Sequence, residues 1–293
     1  MKEHLLFIIK SLCTSLLSLC LSVHADTITQ KIPPFNLTAE AHYVQEDTSK
    51  PAVLILHGFL ATNQFHTIKS ITDALNLEGF TTLAPTLTLN ISQRRNLVKC
   101  ASLHTHTLER DIIEIAHWIN WLQSQGHSNI VLIGHSSGSL ELLEYLSHSQ
   151  NSTISAVILT SLFYLNDSKL GILPEEVSQA QILLKNGINK PSHYHFLFCN
   201  DQYYATPESF LSYLKMDQSY TLNLLENLTI PSYTIMGGAD KRFQKVGRQW
   251  LDALKQTSTH LITIEGANHF FSREYEFDLQ EKIIEILNQA VPP

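Results

Sequence analysis

Six short stretches of the chain carry apolar residues along their length instead of at every second position: AVLILHG, FTTLAPTL, NIVLIG, SAVILTS, SYTIMGG and HLITIEG. Continuous runs of this length read as strands buried on both faces. Between them lie segments of helical spacing. NQFHTIKSITDALNLEG ends in a glycine stop at Gly79, and HTLERDIIEIAHWINWLQSQG sets Ile112, Ile115, Trp118, Ile119 and Leu122 on one face. SLELLEYLSH follows the third strand, and further helices are predicted near Arg248–Lys255 and Leu279–Ala290. The stretch from Asp26 to Lys50 is polar and partly alternating, and its segment LTAEAHYV reads as a single edge strand.

Strand and helix alternate with short connections, which predicts an α/β fold with a mostly parallel sheet covered by helices on both faces. The alternation breaks once, between Leu162 and Ile230, where aromatic, helix-like segments such as HYHFLFCNDQYY and PESFLSYLKMD intervene. We read residues 162–230 as a cap inserted into a core made of 26–161 and 231–293. Ligands of such sheets bind at the carboxyl ends of the strands, so an insertion leaving a strand end stands over the site. Its aromatics are expected either to line an acyl pocket or simply to pack.

A formal charge of −7 argues against nucleic acid or an anionic membrane surface as the main partner. The first 25 residues differ in kind. Lys2 and Lys10 precede an uncharged Leu/Ser/Cys stretch, and Val23-His24-Ala25 forms a small-residue cleavage signature. The uncharged stretch is short for a membrane span, so residues 1–25 are expected to be a signal peptide cleaved after Ala25. An uncleaved anchor is the alternative, and Cys20 raises a lipoprotein, which the bulky Leu19 before it disfavours. Cleavage removes Lys2, Lys10 and Glu3 and moves the charge from −7 to −8. The expected location is secreted or periplasmic, with no stable membrane insertion after cleavage. Cys100 and Cys199 then remain, and in an oxidising compartment they form a possible disulfide, with two separate buried thiols as the alternative. Five Asn-x-Ser/Thr sequons, at Asn36, Asn90, Asn151, Asn166 and Asn227, bear on the chain only in a eukaryotic secretory pathway.

Chemistry concentrates where the NIVLIG strand runs into Gly134-His135-Ser136-Ser137-Gly138 and then a helix. G-x-S-x-G alone is a weak signal, but between a strand and a helix it reads as a nucleophile elbow. Only Ser136 has glycine two positions away on both sides, so Ser136 is the candidate nucleophile and Ser137 offers its backbone N–H to an oxyanion hole. A serine hydroxyl needs a base. His269, in IEGANHFFS, falls just past the last predicted strand, and Asp240, in IMGGADKRF, just past the strand before. The order Ser136, Asp240, His269 suits this architecture. Asp201 in the cap is a rival acid, as is Glu265, placed inside the end of the last strand. His135 is expected to turn away from the hydroxyl. In LHGFLAT the Phe59 N–H is the second candidate oxyanion donor, and His57 is expected to brace that loop. His104/His106 and His193/His195 have the spacing of metal ligands on a strand but read better as polar loop histidines. Arg94 and Arg95 are expected to be solvated, or else to meet a substrate anion.

LILHGFL, IGHSSGS, IMGGADKRF and EGANHFF, in that order, resemble the oxyanion loop, nucleophile elbow, acid loop and histidine loop of the α/β-hydrolase superfamily of serine hydrolases. The likeness runs from Pro51 to Pro293, while the cap resembles no particular subfamily. It implies ester, thioester or amide hydrolysis through an acyl-enzyme and does not give a substrate. The expected reaction is hydrolysis of a carboxylic ester, without a cofactor, on a small-molecule or lipid-like acyl substrate. Amide, peptide or thioester hydrolysis is the nearest alternative. A non-catalytic binding module on the same fold is the rival from another class.

Overall fold

The structure, a computed structural model, describes residues 25–46 and 49–290. The expected signal peptide lies outside these residues except for Ala25. The polar N-terminal stretch forms two strands rather than one: β1 (Ala25–Ile32) and β2 (Leu37–Val44) pair antiparallel. β1 takes the edge, and β2, predicted there, lies inside, pairing antiparallel with β4 (Thr82–Thr86) on its other side. β1 escaped prediction because an edge strand buries little: Ile32 alone is fully covered, and its other residues with described side chains are half-buried or exposed.

The predicted apolar runs form the rest of the sheet. β3 (Ala52–Leu56) and β5 (Ile130–His135) are neighbours, with β4 beyond β3, and β6 (Ile154–Thr160), β9 (Ser232–Gly237) and β10 (His260–Ile264) beyond β5, all parallel. Every residue of β3 is buried, because its side chains feed two cores in turn. Leu54 and Leu56 join Leu132 on one face, and Val53 and Ile55 join Val131 and Ile133 on the other. Helices α1 (His66–Leu77) and α9 (Tyr275–Ala290) cover the second face; α2 (Leu108–Ser124), α3 (Ser137–His148) and α8 (Gln249–Lys255) cover the first. At about 25 cal/mol per Å² of apolar surface, these two cores supply the main drive to fold.

The topology fixes where a ligand can sit. From β3 the chain crosses outward to β4, and then returns past β3 to β5. Strand order therefore reverses between β3 and β5, and the crevice of such a sheet opens at the carboxyl ends of those two strands.

Between β6 and β9 the chain runs through α4 (Pro174–Lys185), a short antiparallel ribbon of β7 (Ser192–Tyr194) and β8 (Tyr203–Ala205), α5 (Pro207–Tyr213) and α6 (Gln218–Glu226). α6 packs on α3, where Lys215 and Tyr220 both reach Glu144. The loop before α2 adds to the ribbon: His104 bridges Ala205, its N–H donates to Tyr204 O, and its carbonyl accepts from Thr206. Cys100 of that loop is disulfide-bonded to Cys199, with the two Cα atoms 5.4 Å apart. A four-residue helix, α7 (Phe243–Val246), follows the β9 loop.

Candidate active site

At the end of β5 the backbone turns sharply. Ser136 has φ 58° and ψ −122°, a conformation a side chain rarely adopts. Its N–H donates to Thr160 O on β6, and Ser139 braces the turn by donating to Gly134 O. The flanking glycines are sterically obligatory. A Cβ on Gly134 would lie 2.7 Å from the Ser139 backbone, and one on Gly138 would lie 2.5 Å from His57 O at the end of β3. The glycine frame therefore reports how closely helix, turn and neighbouring strand approach.

Two loops bring the partners in. After β9, Asp240 is held by its N–H to Gly237 O; after β10, Ala267 O accepts from Ala239 N and ties the loops together. Ser161 Oγ donates to His269 O. His269 Nε2 then lies 2.9 Å from Ser136 Oγ, and its Nδ1 lies 2.6 Å from Asp240 Oδ2. Burial lowers the His269 pKa below 6.5; the Asp240 hydrogen bond opposes this, and the Arg242 charge reinforces it. Burial alone would raise the Asp240 carboxyl, but His269 and Arg242 outweigh it and hold it below its ordinary value. The imidazole is therefore neutral at neutral pH and able to accept a proton, beside a carboxylate that stays ionised.

The other candidate acids lie elsewhere. Asp201 is exposed in the 3₁₀ stretch Leu197–Gln202, and Glu265 is exposed one residue beyond β10 rather than inside it. His135 is buried and turned to Thr160 Oγ1, 2.9 Å away.

The Phe59 loop is fastened from below. His57 Nδ1 donates to Gly58 O, and the same carbonyl takes the Ala61 N–H. His57 Nε2 accepts from Leu87 N and Arg94. This pattern needs a neutral ring, and burial, helped by Arg94, pushes the His57 pKa down to about 3. A Cβ on Gly58 would meet Ser136 Cβ at 3.1 Å, so this loop backbone runs beside the hydroxyl. Ser137 opens α3, whose first N–H groups have no partner within the helix.

Arg94 corrects the sequence reading. It is buried, not solvated, and its guanidinium donates to Leu87 O, Ala61 O and Asn96 O. Arg95 is exposed but forms a two-bond pair with Glu40. Beneath Arg94 lie three buried carboxyl groups that the sequence reading missed: Asp111 and Glu114 on α2 and Glu141 on α3. Burial raises all three, Glu114 to about 7, Glu141 to about 8 and Asp111 well above its usual range. Glu114 accepts from Thr88, and Tyr213 of α5 donates to Asp111. The signal was present in α2, where Asp111 and Glu114 share the face of Ile115, Trp118 and Leu122.

His104 and His106 are likewise buried rather than loop-exposed. His104 stacks on Tyr203, and burial, with His104 and Arg94 nearby, lowers His106 to about 3. His193 is exposed and His195 binds Glu176. Among the described residues, no group of three or more His, Cys, Asp or Glu side chains could hold a metal.

A cleft of about 310 Å³ opens over Ser136 and His269. Its walls are mostly apolar: Phe65, Leu97 and Phe270 from the core, Leu197 and Phe198 from the β6–β9 segment. The aromatics of that segment divide. Phe198 lines the cleft, whereas Tyr194, Phe196, Tyr203, Phe210 and Tyr213 are buried and pack on one another.

Sheet order, helices on both faces and the strand-end elbow define the α/β-hydrolase fold, and the solved structures agree. Est1E from Butyrivibrio proteoclasticus superposes with a TM-score of 0.64 at 16% identity, over 91% of this chain and 99% of its own. GrgF, an α/β hydrolase from Penicillium sp. sh18, gives 0.68 at 12% identity over 92% and 99%. A dienelactone hydrolase from Anabaena variabilis gives 0.58 at 14% identity over 92% and 99%. Residues 42–191, half of the chain, match the family described as Protein of unknown function (DUF1749), and the protein belongs to that family. No curated protein matches the chain.

Proposed function

We propose that the protein is a serine hydrolase that cleaves a carboxylic ester, with Ser136 as nucleophile, His269 as base and Asp240 as its orienting carboxylate. The observation that carries this reading is the unbroken chain from Ser136 Oγ through both His269 nitrogens to Asp240 Oδ2, with links of 2.9 and 2.6 Å. Its position beside a mainly apolar cleft suits an acyl substrate. The neighbour Est1E has been solved with ferulic acid bound, and an aromatic acyl group of that kind suits the aromatic walls here.

In this reaction Ser136 Oγ attacks the ester carbonyl while its proton passes to His269 Nε2. The charge that builds on the carbonyl oxygen is met by the N–H groups of Phe59 and Ser137, reinforced by the positive end of α3. Collapse breaks the bond to the alcohol, which leaves with the proton from His269. Water then repeats the sequence on the acyl-enzyme and releases the acid.

The Cys100–Cys199 disulfide supports residues 1–25 acting as a cleaved signal and the mature protein working in a secreted or periplasmic, oxidising compartment. Among the described residues no helix is long and apolar enough to cross a membrane. Residues 162–230 act, in this reading, as a cap over the cleft. The experiment is labelling of the mature protein with a fluorophosphonate, followed by peptide mapping, together with turnover of short p-nitrophenyl esters. Label on Ser136, and loss of both label and turnover in S136A, is the expected result. An unlabelled folded protein, or label on Ser137, refutes it.

A further inference from the structure

One strong charge in the cleft tunes the His269–Asp240 pair but touches no reacting atom in the proposed ester chemistry. Arg242 lies two residues beyond Asp240, and its side chain lines the same cleft as Ser136 and His269. It is only 24% exposed. Among the described residues its guanidinium donates no hydrogen bond. Its two neighbours are the ring of Phe163, 5.5 Å below Cζ, and Asp240 Oδ2, 3.9 Å from Nη1. That carboxylate oxygen is already committed to His269, and 3.9 Å is too long for a hydrogen bond. The ring face offers a weak attraction only.

The five N–H donors of this guanidinium meet no protein acceptor among the described residues, and none of its nitrogens is among the fully buried unpartnered atoms, so they open to the cleft. Arg94 shows how this fold satisfies an arginine it needs for structure, with three carbonyls in reach. Arg242 has no such set. Its side chain lines the cleft, where an acceptor on a ligand can reach it. A carboxylate fits best: it is planar, takes two parallel N–H bonds from one guanidinium, and as a monoanion it matches a single cation. A phosphate dianion would call for more positive charge than the cleft walls offer.

We propose that Arg242 is a specificity-determining residue that binds a carboxylate carried by the substrate beside its apolar acyl or alcohol portion. This rests on the ester-hydrolase reading above and names its substrate class: half-esters of dicarboxylic acids, or esters whose alcohol bears an acid. The apolar walls take the hydrocarbon and Arg242 takes the charge, so substrate is oriented at both ends of the cleft.

The test compares matched pairs on wild type, R242K and R242Q. One pair is mono-p-nitrophenyl glutarate and p-nitrophenyl hexanoate; the other is p-acetoxybenzoate and its methyl ester. For at least one pair, R242Q should lower the kcat/KM ratio of acidic to neutral ester by about 10- to 100-fold, mostly through KM. R242K, which keeps the charge but not the fork, should fall between. If R242Q lowers both members of each pair equally, Arg242 merely positions Asp240 and the proposal is wrong. A second measurement needs no turnover: monophenyl glutarate titrated into S136A and into the S136A/R242Q double variant. Binding about tenfold weaker in the double variant is expected, and equal binding overturns the proposal. If wild type cleaves none of the esters, the hydrolase reading fails while this titration still decides the anion site.

Discussion

Replacing Arg94 with methionine tests how the proposed oxyanion loop is held. Arg94 donates to two fully buried carbonyls, Leu87 O at 2.6 Å and Ala61 O at 2.7 Å, and to His57 Nε2 at 3.2 Å. Methionine fills most of the volume but donates nothing. Each orphaned buried carbonyl costs about 1–3 kcal/mol, so the pair costs about 2–6 kcal/mol. The three raised carboxyl groups beneath lose their cation, but with Asp111 and Glu141 raised and Glu114 at about 7 they carry only part of their charge near neutrality and add less. Against a typical stability of about 5–15 kcal/mol the variant should still fold. The chemical effect follows from the loop. Ala61 and His57 fasten the turn that carries the Phe59 N–H, and removal of a single oxyanion donor costs about 100- to 1,000-fold in turnover. Partial release of the loop should lower kcat by about tenfold or more with little change in KM. Urea denaturation of the oxidised protein gives the first quantity, and p-nitrophenyl butyrate kinetics give the second. R94K serves where R94M proves too unstable, since one ammonium cannot span both carbonyls. A stability loss below about 1 kcal/mol together with unchanged kcat would show that Arg94 does not brace the loop.

Three further outcomes follow from the same geometry. Glu141 has its folded pKa raised to about 8, above its unfolded value. Its contribution is therefore fully present below about pH 4.5 and is lost as pH rises towards 8, so E141Q should gain stability over wild type between those limits; a gap that does not widen in urea melts across that range refutes it. His269 faces Asp240, Arg242 and the neutral His135, and must be neutral to act as base. The profile of kcat/KM should then rise through an apparent pKa below 6.5 and stay level above it, and a midpoint above about 7 would reject the assignment. Finally, the Cys100–Cys199 bridge closes a loop of 99 residues, worth about 4–5 kcal/mol in the chain-entropy model. The C100S/C199S double variant should lose a comparable amount in urea denaturation.

How much of this was written in the sequence depends on how local the responsible physics is. The six apolar runs located six of the eight main-sheet strands and LTAEAHYV a seventh; in the inner strands β3, β4 and β5 every residue is buried, which leaves no exposed position to dilute the pattern. β1 failed because Ile32 alone of its described side chains is fully covered. The choice of Ser136 over Ser137 was readable, since steric exclusion at Gly134 and Gly138 acts within two residues of the serine. Asp240 and His269 could be nominated by their positions after successive strands, but only the tertiary structure brings them within hydrogen-bonding distance across 29 positions of chain. The fate of the arginines was not readable at all. Arg94 was expected in solvent and is buried, because its acceptors come from Ala61, 33 residues away, and from a turn that exists only once β3 and β4 are paired. Nothing in the sequence singled out Arg242, which the fold sets over Phe163 and in the cleft. Sterics and periodicity act between neighbours in the chain and leave their mark in its order. The burial and pairing of charge depend on partners far apart in that order, and those the fold alone chooses.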